Sequence, residues 1–117
     1  MKDFNGKLAY KDKEYTVVFN LNVMQAIQDE YGSLGAWGDL TDGTVRGEPD
    51  AKAVIFGLRE MINEGLDIEA EESGTQYVPL TLKQVGRILT EVGLSQATSL
   101  MNETVIESTR SVEEKNV

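Results

Sequence analysis

Between residues 51 and 62 the apolar side chains Ala51, Val54, Ile55, Leu58, Met61 and Ile62 recur at the three- and four-residue steps of one helical face. A pleated strand cannot use that pattern, because its side chains alternate with a period of two. Asp50 stands where a helix cap belongs, and Gly65 followed by Leu66 has the form of a helix stop with an apolar fold-back contact. The spacing predicts a helix over 51–64. Burying four or five of its side chains is worth roughly 1.5–3 kcal/mol each before entropy is counted. This helix is expected to be the spine of the core.

The flanking segments arrange themselves around it. Leu8-Ala9-Tyr10 and Tyr15-Thr16-Val17-Val18-Phe19 read as a β-hairpin joined by Lys11-Asp12-Lys13, the second run being β-branched and aromatic. Two strands alone are marginal in water, so the hairpin must pack on something. Asn22, with Gln25 three residues on, predicts a capped helix over about 23–31 that carries Met24, Ile27 and Tyr31 and stops at Gly32. Residues 33–49 are punctuated by Gly35, Gly38, Gly43, Gly47 and Pro49. There Leu34, Ala36, Trp37 and Leu40 suggest one short amphipathic turn before an exposed loop.

The acidic stretch from Asp67 to Gln76 reads as a solvated loop. Thr81 as cap, Gln84 as its capping-box partner and Leu80 stapled to Val85 predict a further helix with Leu82, Val85, Leu89 and Val92 buried. Gly93 stops it and Ser95 caps the last helix almost at once, with an apolar face of Ala97, Leu100, Met101, Thr104 and Val105. The two helices must pack across a tight corner. No repeat or dividing linker is visible, which predicts a single domain over 1–110 and a flexible C-terminal tail over 111–117. The fold class expected is α+β, mainly α, with the hairpin on about four helices around Val54, Ile55, Leu58, Leu89 and Leu100.

Composition narrows the chemistry. At 117 residues, with 40% apolar and 26% charged, the chain suits one domain with one core. It has no cysteine and no histidine. Thiolate chemistry, the commonest general base and the commonest metal ligand are therefore missing, although carboxylates alone can still hold calcium or magnesium. Twenty acids against eleven bases give a net charge of −9, which repels phosphate backbones and anionic membranes. The first ten residues lack the apolar core of a signal peptide, and no apolar run approaches the length of a spanning helix. A cytoplasmic protein that binds neither nucleic acid nor membrane is expected.

Few residues compete for a chemical role. Gly32, Gly35 and Gly38 lack the spacing of a phosphate loop and have no basic neighbour, so turn punctuation is the better reading. Glu64, Asp67, Glu69, Glu71 and Glu72 are clustered without the alternating pattern of a calcium loop. With no histidine and no Gly-x-Ser-x-Gly turn, no nucleophilic triad can be assembled, and nothing selects a pair of carboxylates for acid–base work. Trp37, the one tryptophan, is either packed in the core or part of a recognition surface together with Leu34 and Leu40. No catalytic residue, cofactor or metal is expected.

The order of elements resembles a known family. Val17-Val18-Phe19-Asn20-Leu21 leads into a helix with Met24, Ile27 and Glu30-Tyr31-Gly32-Ser33-Leu34. Ala53-Val54-Ile55-Phe56-Gly57-Leu58-Arg59 then runs to Gly65, and Leu80-Thr81-Leu82-Lys83-Gln84-Val85-Gly86 opens the next helix. This is similar to the tail assembly chaperones of long-tailed phages and the related tail component of gene transfer agents, over about residues 5–108. The stretch 67–77 departs from the pattern in being longer and more acidic.

The resemblance implies a non-enzymatic factor of a phage or prophage that binds the tape-measure and tail-tube proteins in the bacterial cytoplasm. A tail-tube subunit itself would be mostly β, unlike this chain. The charge of −9 raises an alternative, an acidic adaptor or DNA mimic that occupies a nucleic-acid-binding protein. Self-association is a further expectation. The hairpin residues Tyr15 and Val17, with Leu8, Tyr10 and Phe19, would meet a neighbouring subunit's strand across an open edge. Residues 1–19 hold four lysines against three acids, which would draw them to an acidic neighbour. The last helix lying over the hairpin would bury the same residues within one chain.

Overall fold

A computed structural model describes residues 5–115, and the side chains of 6–109. Two strands, β1 (Asn5–Tyr10) and β2 (Lys13–Val18), form an antiparallel hairpin. Five helices follow: α1 (Leu21–Tyr31), α2 (Leu34–Thr41), α3 (Ala51–Ser73), α4 (Leu82–Val92) and α5 (Leu94–Lys115). The fold is α+β and mainly α, with the hairpin packed on one helix more than the four expected. The addition is α2, where the single turn expected around Trp37 is a helix of eight residues. Ser33 starts it by accepting a hydrogen bond from the Ala36 N–H at 3.0 Å. Among the described residues no helix is long and apolar enough to cross a membrane.

The hairpin turns on two residues rather than three. Lys13 pairs with Tyr10, and Lys11 adopts a positive φ of 55° in the short loop. Alternation places Leu8, Tyr15 and Val17 on the buried face, while Lys7 reaches Thr16 Oγ1 at 3.0 Å outside it. That buried face is closed by α5. A Cβ on Gly6 would meet Leu100 Cδ1 at 2.8 Å and Thr104 Oγ1 at 2.9 Å, so α5 rests directly on β1. Of the two expectations for the hairpin, burial under the last helix is the one observed. Leu8, Tyr15 and Val17 are buried within the one chain.

The largest correction concerns α3. It runs straight through Gly65 to Ser73, where Gly74, in the left-handed region at φ 68°, ends it. Residues 67–73 are therefore helix, not loop, and only 75–81, between Gly74 and α4, lie outside regular structure. The physical reason lies on β2. A Cβ at position 65 would run into the Thr16 carbonyl oxygen, closer than any real Cβ comes to a neighbour. Gly65 is bare because helix and strand backbones touch there, and Ala70, also buried, carries the inner face onward.

Capping corrects two other starts. Asn20, not Asn22, caps α1: its Oδ1 accepts from the Val23 N–H at 3.2 Å. This places Phe19 just outside the helix and Met24 at its fourth position, the two sites of an apolar staple. Ser95 lies within the first turn of α5, since the Ala97 N–H already bonds to the Gly93 carbonyl at 3.1 Å. Gly93, at φ 99°, is the whole corner between α4 and α5.

The capping box of α4 is as expected, with Thr81 N–H to Gln84 Oε1 at 2.8 Å and Gln84 N–H to Thr81 Oγ1 at 3.1 Å. Its buried face is Val85, Ile88 and Leu89; Leu82, expected inside, is 50% exposed. The core gathers Val17, Ile27, Trp37, Val54, Leu58, Met61, Ile62, Val85 and Met101. Ile55 and Leu100, expected at its centre, are half-buried at its margin. Helix α5 continues into 111–117 as far as Lys115, and the last two residues lie outside those described.

The Gly65 contact makes a sharp prediction. Alanine is the better helix former, yet Gly65→Ala should destabilise the protein by about 1–3 kcal/mol through overpacking. Thermal unfolding checks it, with the midpoint lowered by roughly 4–8 °C per kcal/mol for a domain near this size.

Candidate functional site

Helices α3 and α4 pack side by side, and each leaves residues outside the shared core. From α3 these are Lys52, Ile55 and Phe56, on one face by their spacing. From α4 they are Leu82, Lys83, Gly86, Arg87 and Thr90. Together they line an open trough of about 750 Å³. A smaller lobe of about 290 Å³ shares Ile55, Gly86 and Thr90 and continues toward Gly93 and Leu94 at the start of α5.

The floor is apolar. Leu82 is half exposed, and Ile55 and Phe56 are half-buried. Thr90 gives its hydroxyl to the Gly86 carbonyl at 2.8 Å, so that donor is already occupied. The charges on the walls are Lys52, Lys83 and Arg87, with no carboxylate among the lining residues. Three of the eleven basic residues of a chain with net charge −9 therefore surround one apolar trough. Lysine and arginine suit this place, since their methylene stems extend apolar surface while their charged ends stay in water.

The spacing of α3 and α4 is fixed by polar ties. Asn63, only 7% exposed, donates to the Leu80 carbonyl at 3.1 Å and accepts from the Leu80 N–H at 2.8 Å. Arg59 Nε donates to the same carbonyl at 3.1 Å. Leu80 immediately precedes the cap of α4, so these three bonds set where that helix begins. Behind the floor, Tyr31 meets the Phe56 ring edge-on at 5.4 Å between centroids. The Tyr31 hydroxyl is buried with no hydrogen-bond partner among the described residues.

None of the five residues singled out from sequence as candidate interaction residues lines the trough. Trp37 is 2% exposed; its Nε1 donates to the Ala53 carbonyl at 2.9 Å, and its ring fills the space left by Gly57. Tyr15 and Val17 are buried in the same core, and Leu34 and Leu40 pack half-buried against it. The Trp37 indole finds its polar partner inside the chain, so Trp37, Tyr15 and Val17 belong to the core, with Leu34 and Leu40 at its margin. The trough includes Ile55 and Leu82, which apolar spacing alone assigns to the buried faces. The legible signal was Leu82 and Gly86 four apart, off the Val85–Leu89 stripe.

The acidic cluster is helical and divided. Glu64 accepts from Asn20 at 2.6 Å and from Asn22 at 3.0 Å, tying α1 to α3. Asp67, Glu69, Glu71 and Glu72 project into solvent. Among the described residues no three acidic side chains come together as they would around a metal ion. Compared with known proteins, the chain matches no family model, no curated protein and no solved structure.

Two predictions test this arrangement. Asn63→Leu keeps the volume but leaves both backbone groups of Leu80 without their partner. It should cost about 1–3 kcal/mol, with amide chemical-shift changes concentrated in α4. Burial, then the charges of Asp50 and Glu30, raise Tyr31 above the usual tyrosine range. Its folded state holds the phenolic proton longer than the unfolded chain, so the stability this contributes is present below pH about 10 and lost as pH rises further. Tyr31→Phe should flatten that alkaline loss in unfolding curves and leave neutral-pH stability unchanged or higher, since an unpaired buried hydroxyl is removed.

Proposed function

We propose that this chain is a tail assembly chaperone of a long-tailed phage or prophage, a non-enzymatic factor that engages the tape-measure and tail-tube proteins in the cytoplasm of the bacterial host. The observation that carries the reading is the trough between α3 and α4, an open apolar surface on a strongly acidic protein. Laying the apolar face of a partner helix into such a groove is a recurring mode of peptide recognition. A chaperone of this kind must cover apolar helices while the complex stays dissolved, and a net charge of −9 serves that end. The resemblance of residues 17–34, 53–65 and 80–86 to the family supplies the identity of the partners.

Co-expression with tape-measure and tail-tube proteins of a long-tailed phage tests the proposal. Retention of either partner on a column carrying the tagged chain, at micromolar concentration, is the expected outcome. Failure to retain both removes the basis of the reading.

A further inference from the structure

We propose that the α3–α4 trough takes an acidic amphipathic helix of a partner polypeptide, one whose apolar stripe is flanked by Asp and Glu. The inference rests on reading the chain as a helix-binding factor and adds the chemistry of what it binds. Two independent features carry it.

The first is charge. Lys52, Lys83 and Arg87 rim an apolar floor and no carboxylate lines it, although acids outnumber bases twenty to eleven in the chain. A helix with acids beside its apolar stripe places those acids against the rim as its side chains enter the floor. A basic helix would meet like charge, which suppresses wrong partners.

The second is Gly86. Inside α3 and α4 there are three glycines, and two have a reason within the chain: Gly57 makes room for Trp37 and Gly65 for the Thr16 carbonyl. Gly86 has none. A Cβ there would meet only Ile55 Cδ1, at an ordinary 3.8 Å. Glycine weakens a helix interior relative to alanine, and a bare backbone is what a closely approaching ligand requires. Gly86 lies on the floor of both lobes, where the partner helix would come nearest.

The test uses the full chain and three synthetic peptides of about sixteen residues, near the shortest length for a stable isolated helix. One carries a leucine stripe flanked by Glu, the second has every Glu replaced by Lys, and the third has the composition of the first with the stripe scrambled. Fluorescence anisotropy is expected to show saturable binding of the acidic striped peptide and none of the scrambled one, with the lysine twin at least about tenfold weaker and the affinity falling with added salt. Lys83→Glu with Arg87→Glu should weaken the acidic peptide at least about tenfold and favour the lysine twin. Gly86→Leu fills the floor with a good helix former, so the melting midpoint should not fall while binding is lost.

Equal affinity for the two charge twins would overturn the proposal, as would no binding at about 1 mM or binding that survives Gly86→Leu. A molecular mass that doubles with concentration and reverts in Gly86→Leu would overturn it in favour of a second copy. Binding to anionic phospholipid vesicles without peptide binding would overturn it in favour of a lipid surface. If the peptides fail but the phage partners are retained, this inference falls and the chaperone reading stands; the converse result separates them the other way.

Discussion

The contact on which the rest of the molecule depends is backbone against backbone, where α3 crosses β2 at Gly65 and Thr16. Helix and strand normally keep a side-chain layer between them. Here the missing Cβ removes that layer, and the hairpin is drawn down until Leu8, Tyr15 and Val17 enter the core formed by Leu58, Met61 and Ile62. Two turns earlier Gly57 does the same for the Trp37 ring, which seats α2. Each glycine costs about 1 kcal/mol of helix propensity relative to alanine. The close packing it permits offsets that cost, since a buried Leu, Val or Phe side chain is worth roughly 1.5–3 kcal/mol.

One turn of α3 then serves as the junction of the chain. Asn63 holds Leu80 ahead of α4, and Glu64, the next residue, holds Asn20 at the cap of α1 and Asn22 beside it. Adjacent side chains on a helix point about 100° apart, so one residue can face each partner segment. The polar ties lie at the rim of an otherwise apolar interface, where they fix register without burying a full charge. The trough between α3 and α4 inherits its shape from them. It is a gap between two helices held at one end by hydrogen bonds and joined below by Val85, Ile88 and Leu89.

Much of this was legible in the sequence, for physical reasons that differ by element. The apolar spacing from residue 51 to 62 and the Thr81–Gln84 box are local signals with local causes; the helix and the box stand, and Val54, Leu58, Met61 and Ile62 are buried, while Ala51 is exposed and Ile55 is half-buried. The β-branched run of β2 likewise declares itself. Gly65 reads as a stop in the sequence because a glycine required by a tertiary contact looks the same there as one required by a left-handed cap. Of Gly65 and Gly74, only Gly74 has the left-handed conformation of a cap. Asn20 and Asn22 are both competent caps, and the choice between them was made by Phe19 entering the core. Trp37 is core rather than surface because Gly57, twenty residues away, leaves room for it. The trough was illegible because it consists of what α3 and α4 leave uncovered, which no single helix pattern contains.

The junction at residues 63 and 64 also orders events during synthesis. The hairpin is made first, but two strands alone are marginal, and the surface that receives them, around Gly65, leaves the ribosome some 47 residues later. At roughly 5–20 residues per second the N-terminal strands wait about 2–9 s for their seat. The tie from Asn63 to Leu80 closes a span of 17 residues, against 44 from Asn20 to Glu64. The shorter closure is cheaper by nearly 1 kcal/mol of chain entropy. Helix α4 can thus dock on α3 as soon as it emerges, and the α3–α4 trough is complete before α5 arrives to seal the hairpin.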